Sequence, residues 1–253
     1  MSQELWKPIL QGTTAIEKLQ ADKGFDSYSA LHNWSVRNPG EFWSRAWDDN
    51  KLIGKKGSTF FHQGTDFISS QFFPEARLNV AENLLAHGEP DQVAIVSILE
   101  TGVRTEITWA ELRVKVAATA AAMRAEGVVT GDRVVAWVPN ITETIIYALG
   151  ALSIGAVVST ASPDFAPHAV EDRFGQIEPK IFLAADGYNY NGKYFDCKEK
   201  SVEIEKLLPT LKKTVHVSEF EAWIAPFIGA SPVFEQLPFD HPGFVLFSSG
   251  TTG

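Results

Sequence analysis

From Gln92 to the end of the chain, β-strand patterns alternate with α-helix patterns, and this alternation limits the folds that the chain can adopt. Three short apolar runs are each followed by a stretch of helical length and periodicity. Strands that are separated by helices are joined by right-handed crossovers and pair in parallel. The sequence therefore predicts an α/β domain built on a mainly parallel sheet. The predicted strands cover residues 133–138, 156–160, 180–184, 214–217 and 244–247, and the predicted helices cover residues 143–153, 167–177 and 198–208.

A hairpin and a long helix are predicted ahead of this alternation. Residues 93–99 and 103–107 are strand-like runs on either side of a Glu-Thr-Gly turn. Thr108 and Glu111 then form a capping-box pattern, in which each residue satisfies a backbone N–H at a helix start. Gly127 is a suitable helix end. One face of this helix is predicted to be apolar and consists of Leu112, Val116, Ala120 and Met123.

Residues 1–90 differ from the rest of the chain in their tryptophan content and in their scarcity of strand patterns. They are predicted to form a helical extension, with the main domain covering residues 91–253. The seven tryptophans of the chain include Trp6, Trp34, Trp43 and Trp47 in this first part. Tryptophans at helical spacing are more typical of a packed core than of a ligand platform, and we expect a helical collar packed on the main domain. Strand patterns are scarce here. The polar residues Asn79, Glu82 and Asn83 are interpreted as the polar face of a collar helix.

Composition disfavours several functional classes. The net charge of -9, with no Lys/Arg-rich run, disfavours nonspecific binding to nucleic acid. The single cysteine, Cys197, excludes an internal disulfide and is typical of a reducing cytoplasm. No signal-peptide pattern is seen, and the longest apolar stretch, residues 145–158, is too short to cross a bilayer. The six histidines show no metal-binding spacing, so no metal site is predicted. We expect a cytoplasmic protein without a membrane partner.

The last predicted strand leads into a loop of Gly, Ser and Thr, which is a good cradle for an anion. Glycine lets backbone N–H groups converge, and hydroxyl groups add further donors. Two common phosphate patterns, the Walker loop and the Gly-x-Gly-x-x-Gly turn, are absent. A glycine-rich turn without a ligand is the alternative. The candidate phosphate-binding residues are Ser248, Ser249, Gly250, Thr251, Thr252 and Gly253.

Three segments resemble the adenylate-forming superfamily of acyl-CoA synthetases, luciferases and peptide-synthetase adenylation domains. Residues 247–253, Phe-Ser-Ser-Gly-Thr-Thr-Gly, resemble its phosphate loop. Residues 107–112 resemble its Thr-Tyr-x-Glu-Leu helix start, and residues 148–156 resemble its segment of small residues. The resemblance implies that residues 91–253 are the first half of the large adenylate-forming domain.

Further segments resemble the acetoacetyl-CoA synthetases within this superfamily; they are residues 5–8, 42–43, 73–85, 162–165 and 188–193. The resemblance implies a ligase that uses acetoacetate, ATP and CoA with Mg²⁺. In such enzymes the carboxylate attacks the α-phosphate of ATP, and the CoA thiol then displaces AMP. In the family a Pro and a Lys follow the loop within a few residues, whereas here the sequence stops at Gly253.

The resemblance also implies roles for residues of this chain. The loop residues would contact the β- and γ-phosphates of ATP. Tyr190, Gly192 and Lys193, together with Ser162 and Phe165, would contribute to the CoA site. Both CoA assignments have a plainer alternative. Tyr190, Gly192 and Lys193 could belong to an exposed loop with a solvated lysine, and Ser162 and Phe165 to a strand-to-helix turn. We expect the catalytic residues after Gly253, so this part of the protein is predicted to be inactive without its C-terminal remainder.

Three alternatives stay open at this point. The acid could be acetate, propionate or another short-chain acid, because the acyl pocket of the family lies largely beyond the phosphate loop. The chain could instead be a non-catalytic module that binds CoA or a nucleotide. Finally, Cys197 stands near a predicted helix start, where its pKa could be lowered, although an inert buried thiol is the simpler interpretation.

Overall fold

The computed structural model describes residue 12 and residues 14–247, and these form helices, short strands and one larger sheet. The elements up to residue 98 are α1 (Ala15–Asp22), α2 (Tyr28–Arg37), α3 (Pro39–Asp49), β1 (Gly54–Lys55), β2 (Phe61–His62), β3 (Gln71–Phe72), β4 (Arg77–Leu78), α4 (Val80–Leu85) and β5 (Val93–Ile98). The later elements are β6 (Arg104–Thr108), α5 (Trp109–Ala125), β7 (Arg133–Trp137), α6 (Thr142–Ile154), β8 (Val157–Ala161), α7 (Pro167–Phe174), β9 (Ile181–Ala184), β10 (Gly187–Tyr190), β11 (Lys193–Asp196), α8 (Lys198–Leu207), β12 (Lys213–His216), α9 (Phe220–Ile224) and β13 (Leu237–Pro238).

The chain divides into two compact units. The smaller unit consists of Met1–Leu52 with Lys56–Glu75, and the larger consists of Ile53–Lys55 with Ala76–Gly253. In the smaller unit, Trp47 is buried and its ring centroid lies 5.2 Å from that of Phe73. Trp34 packs between Phe25 and Phe42. The interpretation of the tryptophans as packing residues is confirmed for Trp47 and Trp34, whereas Trp43 is 47% exposed. Trp6 lies outside the described residues.

The larger unit is built on a four-stranded parallel sheet with the order β12-β9-β7-β8. Consecutive residues of β9 are all buried, and so are the last four of β7, which means that both faces of these strands are covered. Tyr147 of α6 is fully buried, and its hydroxyl lies 3.2 Å from the carbonyl oxygens of Val135 and Ile181. The predicted α/β fold with a mainly parallel sheet is confirmed.

The predicted hairpin and its helix are also confirmed. β5 and β6 pair antiparallel, with Gly102 at a φ of 81° in the connecting turn. The N–H of Thr108 donates to the Glu111 carboxylate at 2.7 Å, and the N–H of Glu111 donates back to Thr108 Oγ1 at 3.2 Å. The Glu111 carboxylate also accepts from the Thr108 hydroxyl at 2.9 Å, and the two hydrogen bonds that it accepts from Thr108 lower the pKa of Glu111. Gly127 follows the helix at a φ of 78°, as expected for a helix end.

Two local predictions differ from the structure. Residues 244–247 do not form a strand. Among the described residues, they have a single bridge, between Phe244 and Val158 of β8, and no ladder extends from it. Residues 188–193, considered above as an exposed loop, belong to the antiparallel hairpin β10–β11. Asn191 and Gly192 form its turn with φ values of 50° and 71°, which is the usual Asn-Gly geometry of a two-residue hairpin.

Asn79 is buried, so its interpretation as a residue of a polar face was wrong. Its side chain is 1% exposed. Its Oδ1 caps α4 by accepting from the N–H groups of Ala81 and Glu82. Its Nδ2 donates to the carbonyl oxygens of Leu152, Ser153 and Glu235 at 3.0, 3.2 and 2.9 Å. One amide therefore joins the start of α4, the end of α6 and the segment before β13.

We expect Asn79→Ala to lower the free energy of unfolding by about 2–4 kcal/mol, because it removes a helix cap and leaves buried carbonyl groups without a donor. Asn189→Ala is the matched control, since that asparagine is exposed on β10 and no side-chain hydrogen bond is found for it among the described residues. Urea unfolding of both variants, followed by tryptophan fluorescence, measures the difference. Equal stability of the two variants would show that the Asn79 contacts contribute little.

Candidate functional site

The four parallel strands end along one edge of the sheet, and this carboxyl edge is the candidate site. β7 ends at Trp137, β8 at Ala161, β9 at Ala184 and β12 at His216, and these residues align in the registers of neighbouring strands. In open α/β sheets, ligands bind beyond the carboxyl ends of the strands. The segments that follow β8 and β9 are the two that the sequence associates with CoA.

The last described residues lead toward the same edge. The bridge between Phe244 and Val158 is parallel. It is formed by the Val158 N–H, which donates to Gly243 O at 2.9 Å, and by the Val245 N–H, which donates to Val158 O at 3.0 Å. Residues 245–247 therefore run in the direction of β8. The predicted phosphate-binding residues, Ser248 to Gly253, lie outside the described residues.

The segment after β8 is a turn that starts α7. The Phe165 N–H donates to Ser162 O at 3.2 Å, and Pro167 occupies the first turn of α7. Asp164 does not cap this helix, because the capping position is Ala166 and no side chain bonds there. Phe165 is partly buried, and the Arg173 guanidinium lies 4.9 Å from its ring centroid. Ser162 is exposed. This segment is a strand-to-helix turn, and Pro167 stands at the start of the helix.

The hairpin β10–β11 follows β9 directly. The rings of Tyr188 and Phe195 stack with centroids 5.2 Å apart. Gly187 leaves room for the Tyr194 hydroxyl, which would lie 2.1 Å from a Cβ at that position. The tip of the hairpin, defined here as residues 190–193, is exposed, and the Tyr190 side chain is 66% exposed. The hairpin therefore has a packed base and a solvent-facing tip.

The two segments are close enough to influence each other electrostatically. Burial raises the pKa of the Tyr188 hydroxyl, and the negative charges of Asp164 and Cys197 raise it further. Asp164 belongs to the turn after β8, so this turn contributes to the electrostatic environment of Tyr188.

Asp186 joins the ends of β9 and β12, and nothing in the sequence pattern singled it out. Its carboxylate accepts from the N–H and the hydroxyl of Ser218 at 2.8 and 2.9 Å. Its carboxylate oxygen also lies 3.8 Å from Nδ1 of His216. Its backbone carbonyl accepts from the Cys197 N–H at 2.9 Å. The hairpin is thereby fixed at both ends to the edge of the sheet.

Cys197 is a buried thiol with a raised pKa. It is 1% exposed, and loss of solvation is the largest cause of the raised pKa. Lys200 lowers the pKa, whereas the charges of Asp196 and Asp186 raise it. The idea of a low-pKa thiol at a helix start was wrong, because burial outweighs the favourable charge. The interpretation as a buried thiol is confirmed.

The described residues contain neither a cluster of side chains that could hold a metal ion nor a helix that could cross a membrane. Within residues 14–247, no group of three or more His, Cys, Asp and Glu side chains could hold a metal. In the same part of the chain, no helix combines the length and the apolar character needed to cross a bilayer.

Comparison with known proteins assigns the chain to a family. Residues 84–253 match the family model of AMP-binding enzymes, and residues 28–84 match the model described as the acetyl-coenzyme A synthetase N-terminus. The first match covers more than half of the chain, so the chain belongs to the AMP-binding enzyme family.

Within this family the chain is similar to acetoacetyl-CoA synthetases. It is 43% identical to the acetoacetyl-coenzyme A synthetase of Rhizobium meliloti strain 1021, over 91% of this chain and 38% of that protein. The solved acetoacetyl-CoA synthetase of Streptomyces lividans superposes with a TM-score of 0.91 at 37% identity and covers 100% of this chain and 42% of that structure. A malonamoyl-CoA synthetase of Penicillium aethiopicum is 31% identical over 94% of this chain and 37% of that protein. The chain spans about two fifths of the length of these relatives.

We expect Cys197 to resist thiol reagents in the folded protein, because its sulfur is buried and its raised pKa keeps it protonated at neutral pH. Iodoacetamide labelling followed by peptide mass spectrometry measures the modification of Cys197 itself. The same peptide labelled in urea is the control and should react fully. Rapid labelling of Cys197 without denaturant would contradict the buried position.

Proposed function

We propose that this chain belongs to an acetoacetate–CoA ligase that converts ATP, acetoacetate and CoA into AMP, pyrophosphate and acetoacetyl-CoA. The observation that carries the proposal is the likeness to the Streptomyces lividans acetoacetyl-CoA synthetase, which covers the whole chain at a TM-score of 0.91. Acetoacetyl-CoA synthetases from bacteria and vertebrates at 36–43% identity support it. The proposed reaction proceeds through an acetoacetyl-adenylate.

The first half-reaction concerns the phosphates of ATP. Attack of the acetoacetate carboxylate on the α-phosphate expels pyrophosphate, and the accumulating charge needs preorganised donors. In the proposal these donors are the hydroxyl and N–H groups of Ser248, Ser249, Gly250, Thr251, Thr252 and Gly253. The parallel approach of residues 245–247 alongside β8 supports this role, because it directs the chain to the carboxyl edge.

The second half-reaction concerns CoA. The CoA thiol attacks the acyl carbon of the adenylate and AMP leaves. In the proposal Lys193 pairs with a CoA phosphate, Tyr190 stacks on the adenine, and the turn with Ser162 and Phe165 borders the path of the pantetheine arm. The hairpin tip supports this assignment, because it presents an exposed lysine beside an exposed aromatic ring. Gly192, which directly precedes Lys193, adds no side chain of its own to the tip.

Mg²⁺ is proposed as the partner of ATP, as the family resemblance implies. When bound, the ion supplies positive charge to the triphosphate. Among the residues that the structure describes, no group of three or more His, Cys, Asp and Glu side chains could hold it. No step is assigned to the ion from these residues.

The proposal also includes the domain organisation of the chain, its cellular location and its dependence on the rest of the protein. Residues 1–90 are proposed as the N-terminal extension, and residues 91–253 as the first part of the AMP-binding domain. The protein is proposed to act in the cytoplasm on small molecules, without nucleic-acid or membrane partners. We also propose that residues 1–253 alone are inactive, because the relatives are more than twice as long and the family resemblance implies that the catalytic residues follow Gly253.

A substrate panel tests the activity. We expect the protein as encoded in full to release pyrophosphate with acetoacetate at least tenfold faster than with acetate, propionate or malonamate. Residues 1–253 alone serve as the inactive control. A preference for acetate or propionate would replace the proposed acid. CoA binding by calorimetry without any pyrophosphate release would favour a non-catalytic binding module, and acetoacetyl-CoA formation by residues 1–253 would refute their inactivity.

Separate assays of the two half-reactions test the CoA assignment. We expect Lys193→Ala to raise the KM for CoA about tenfold, because a lysine–phosphate pair is lost. Acetoacetate-dependent ATP–pyrophosphate exchange needs no CoA and should stay within about twofold of the wild type. Lys206→Ala is the matched control, since this lysine is exposed on α8. An unchanged KM for CoA in Lys193→Ala would remove Lys193 from the CoA site.

A further inference from the structure

We propose that Glu100 is a positioning residue for the CoA half-reaction, acting through the tip of the β10–β11 hairpin. This inference rests on the proposed function of that hairpin in CoA binding. Glu100 lies in the turn between β5 and β6, and its Oε1 accepts a hydrogen bond of 2.7 Å from the N–H of Asn191. The two residues are 91 positions apart in the sequence.

The Asn191 N–H is available because of the hairpin geometry. The ladder between the two strands ends at the pair Tyr190 and Lys193, so Asn191 and Gly192 form the turn itself. Asn191 has a φ of 50°, in the left-handed region, and its N–H is not used by the ladder. A carboxylate acceptor on a backbone N–H makes a charge-assisted hydrogen bond, which is stronger than one between neutral groups.

The tip depends on this contact more than the base does. The two strands form a sheet of their own and are not paired with the four-stranded sheet. A two-stranded hairpin is marginally stable by itself. Its base is fixed by the stack of Tyr188 on Phe195 and by the bond from the Cys197 N–H to Asp186 O. Among the described residues, the bond to Glu100 is the one hydrogen bond that links residues 190–193 to another part of the fold.

Fixing the tip also fixes the position of Lys193. This lysine is exposed and directly follows the turn held by Glu100. A ligand that binds a mobile segment loses affinity, because part of the binding free energy is spent on ordering that segment. Glu100 thus preorganises the hairpin for CoA, although its own negative charge makes it unsuited to bind a phosphate.

The variants Glu100→Ala and Glu100→Gln test this role in the protein as encoded in full. We expect Glu100→Ala to raise the KM for CoA about threefold to tenfold, as expected for loss of one exposed charge-assisted hydrogen bond. ATP–pyrophosphate exchange should stay within about twofold of the wild type. Glu100→Gln retains an oxygen acceptor and should restore most of the affinity. Glu106→Ala is the matched control, because Glu106 pairs with Arg104 of its own strand.

Hydrogen exchange provides a readout that does not depend on CoA. The Asn191 amide should exchange several times faster in Glu100→Ala than in the wild type, whereas the amides of β7 should not change. If Lys193→Ala raises the KM for CoA but Glu100→Ala does not, the positioning role is wrong and the proposed CoA site stands. If neither variant changes that KM, the hairpin is not part of the CoA site and both ideas fail. The proposal would also be overturned if Glu100→Gln raised the KM for CoA as much as Glu100→Ala does. A loss of ATP–pyrophosphate exchange activity that matches the change in this KM would overturn it as well.

Discussion

Burial of the parallel sheet on both faces is the constraint on which the rest of the larger unit depends. β9 and most of β7 have no exposed residues, so their polar backbone groups must be satisfied by neighbouring strands in register. This leaves the strand ends as the places where polar side chains can reach solvent and ligands. The turn after β8 and the hairpin after β9 therefore follow strands that end at one edge of the sheet, and in open α/β sheets ligands bind beyond this edge.

Two polar side chains form hydrogen bonds with backbone groups near the ends of helices and strands. Asn79 satisfies carbonyl groups where α6 ends, and Asp186 ties β9 to the segment after β12. Neither position stands out in the sequence, because a lone Asn or Asp is most often a surface residue. Their importance comes from partners that are far away in sequence, such as Glu235 for Asn79. Contacts of this kind can be recognised only after the chain has folded.

The sequence predicted the elements that depend on local periodicity and missed those that depend on distant partners. The strands of the sheet, the hairpin β5–β6 and the capping box at Thr108 follow from apolar spacing and from helix-start chemistry. The hairpin β10–β11 was treated as a loop, although Asn191-Gly192 is a strong turn signal, because each of its two strands is only four residues long. Residues 244–247 have the composition of a strand, yet one bridge to β8 is not a ladder. The candidate CoA residues were found through resemblance, and Glu100 was not found because its partner is a backbone N–H.

The strand order has a consequence for how the chain can fold during synthesis. β7 is made first, β8 then adds to one side of it, β9 adds to the other side, and β12 adds to β9. Each new strand therefore finds its neighbour already present, and the sheet grows outward as the ribosome releases the chain. Glu100 is likewise synthesised before the hairpin that it holds, whereas Asn79 waits for Glu235. Among the described residues, Phe244 bridges to β8 only after all four strands of the sheet have been made.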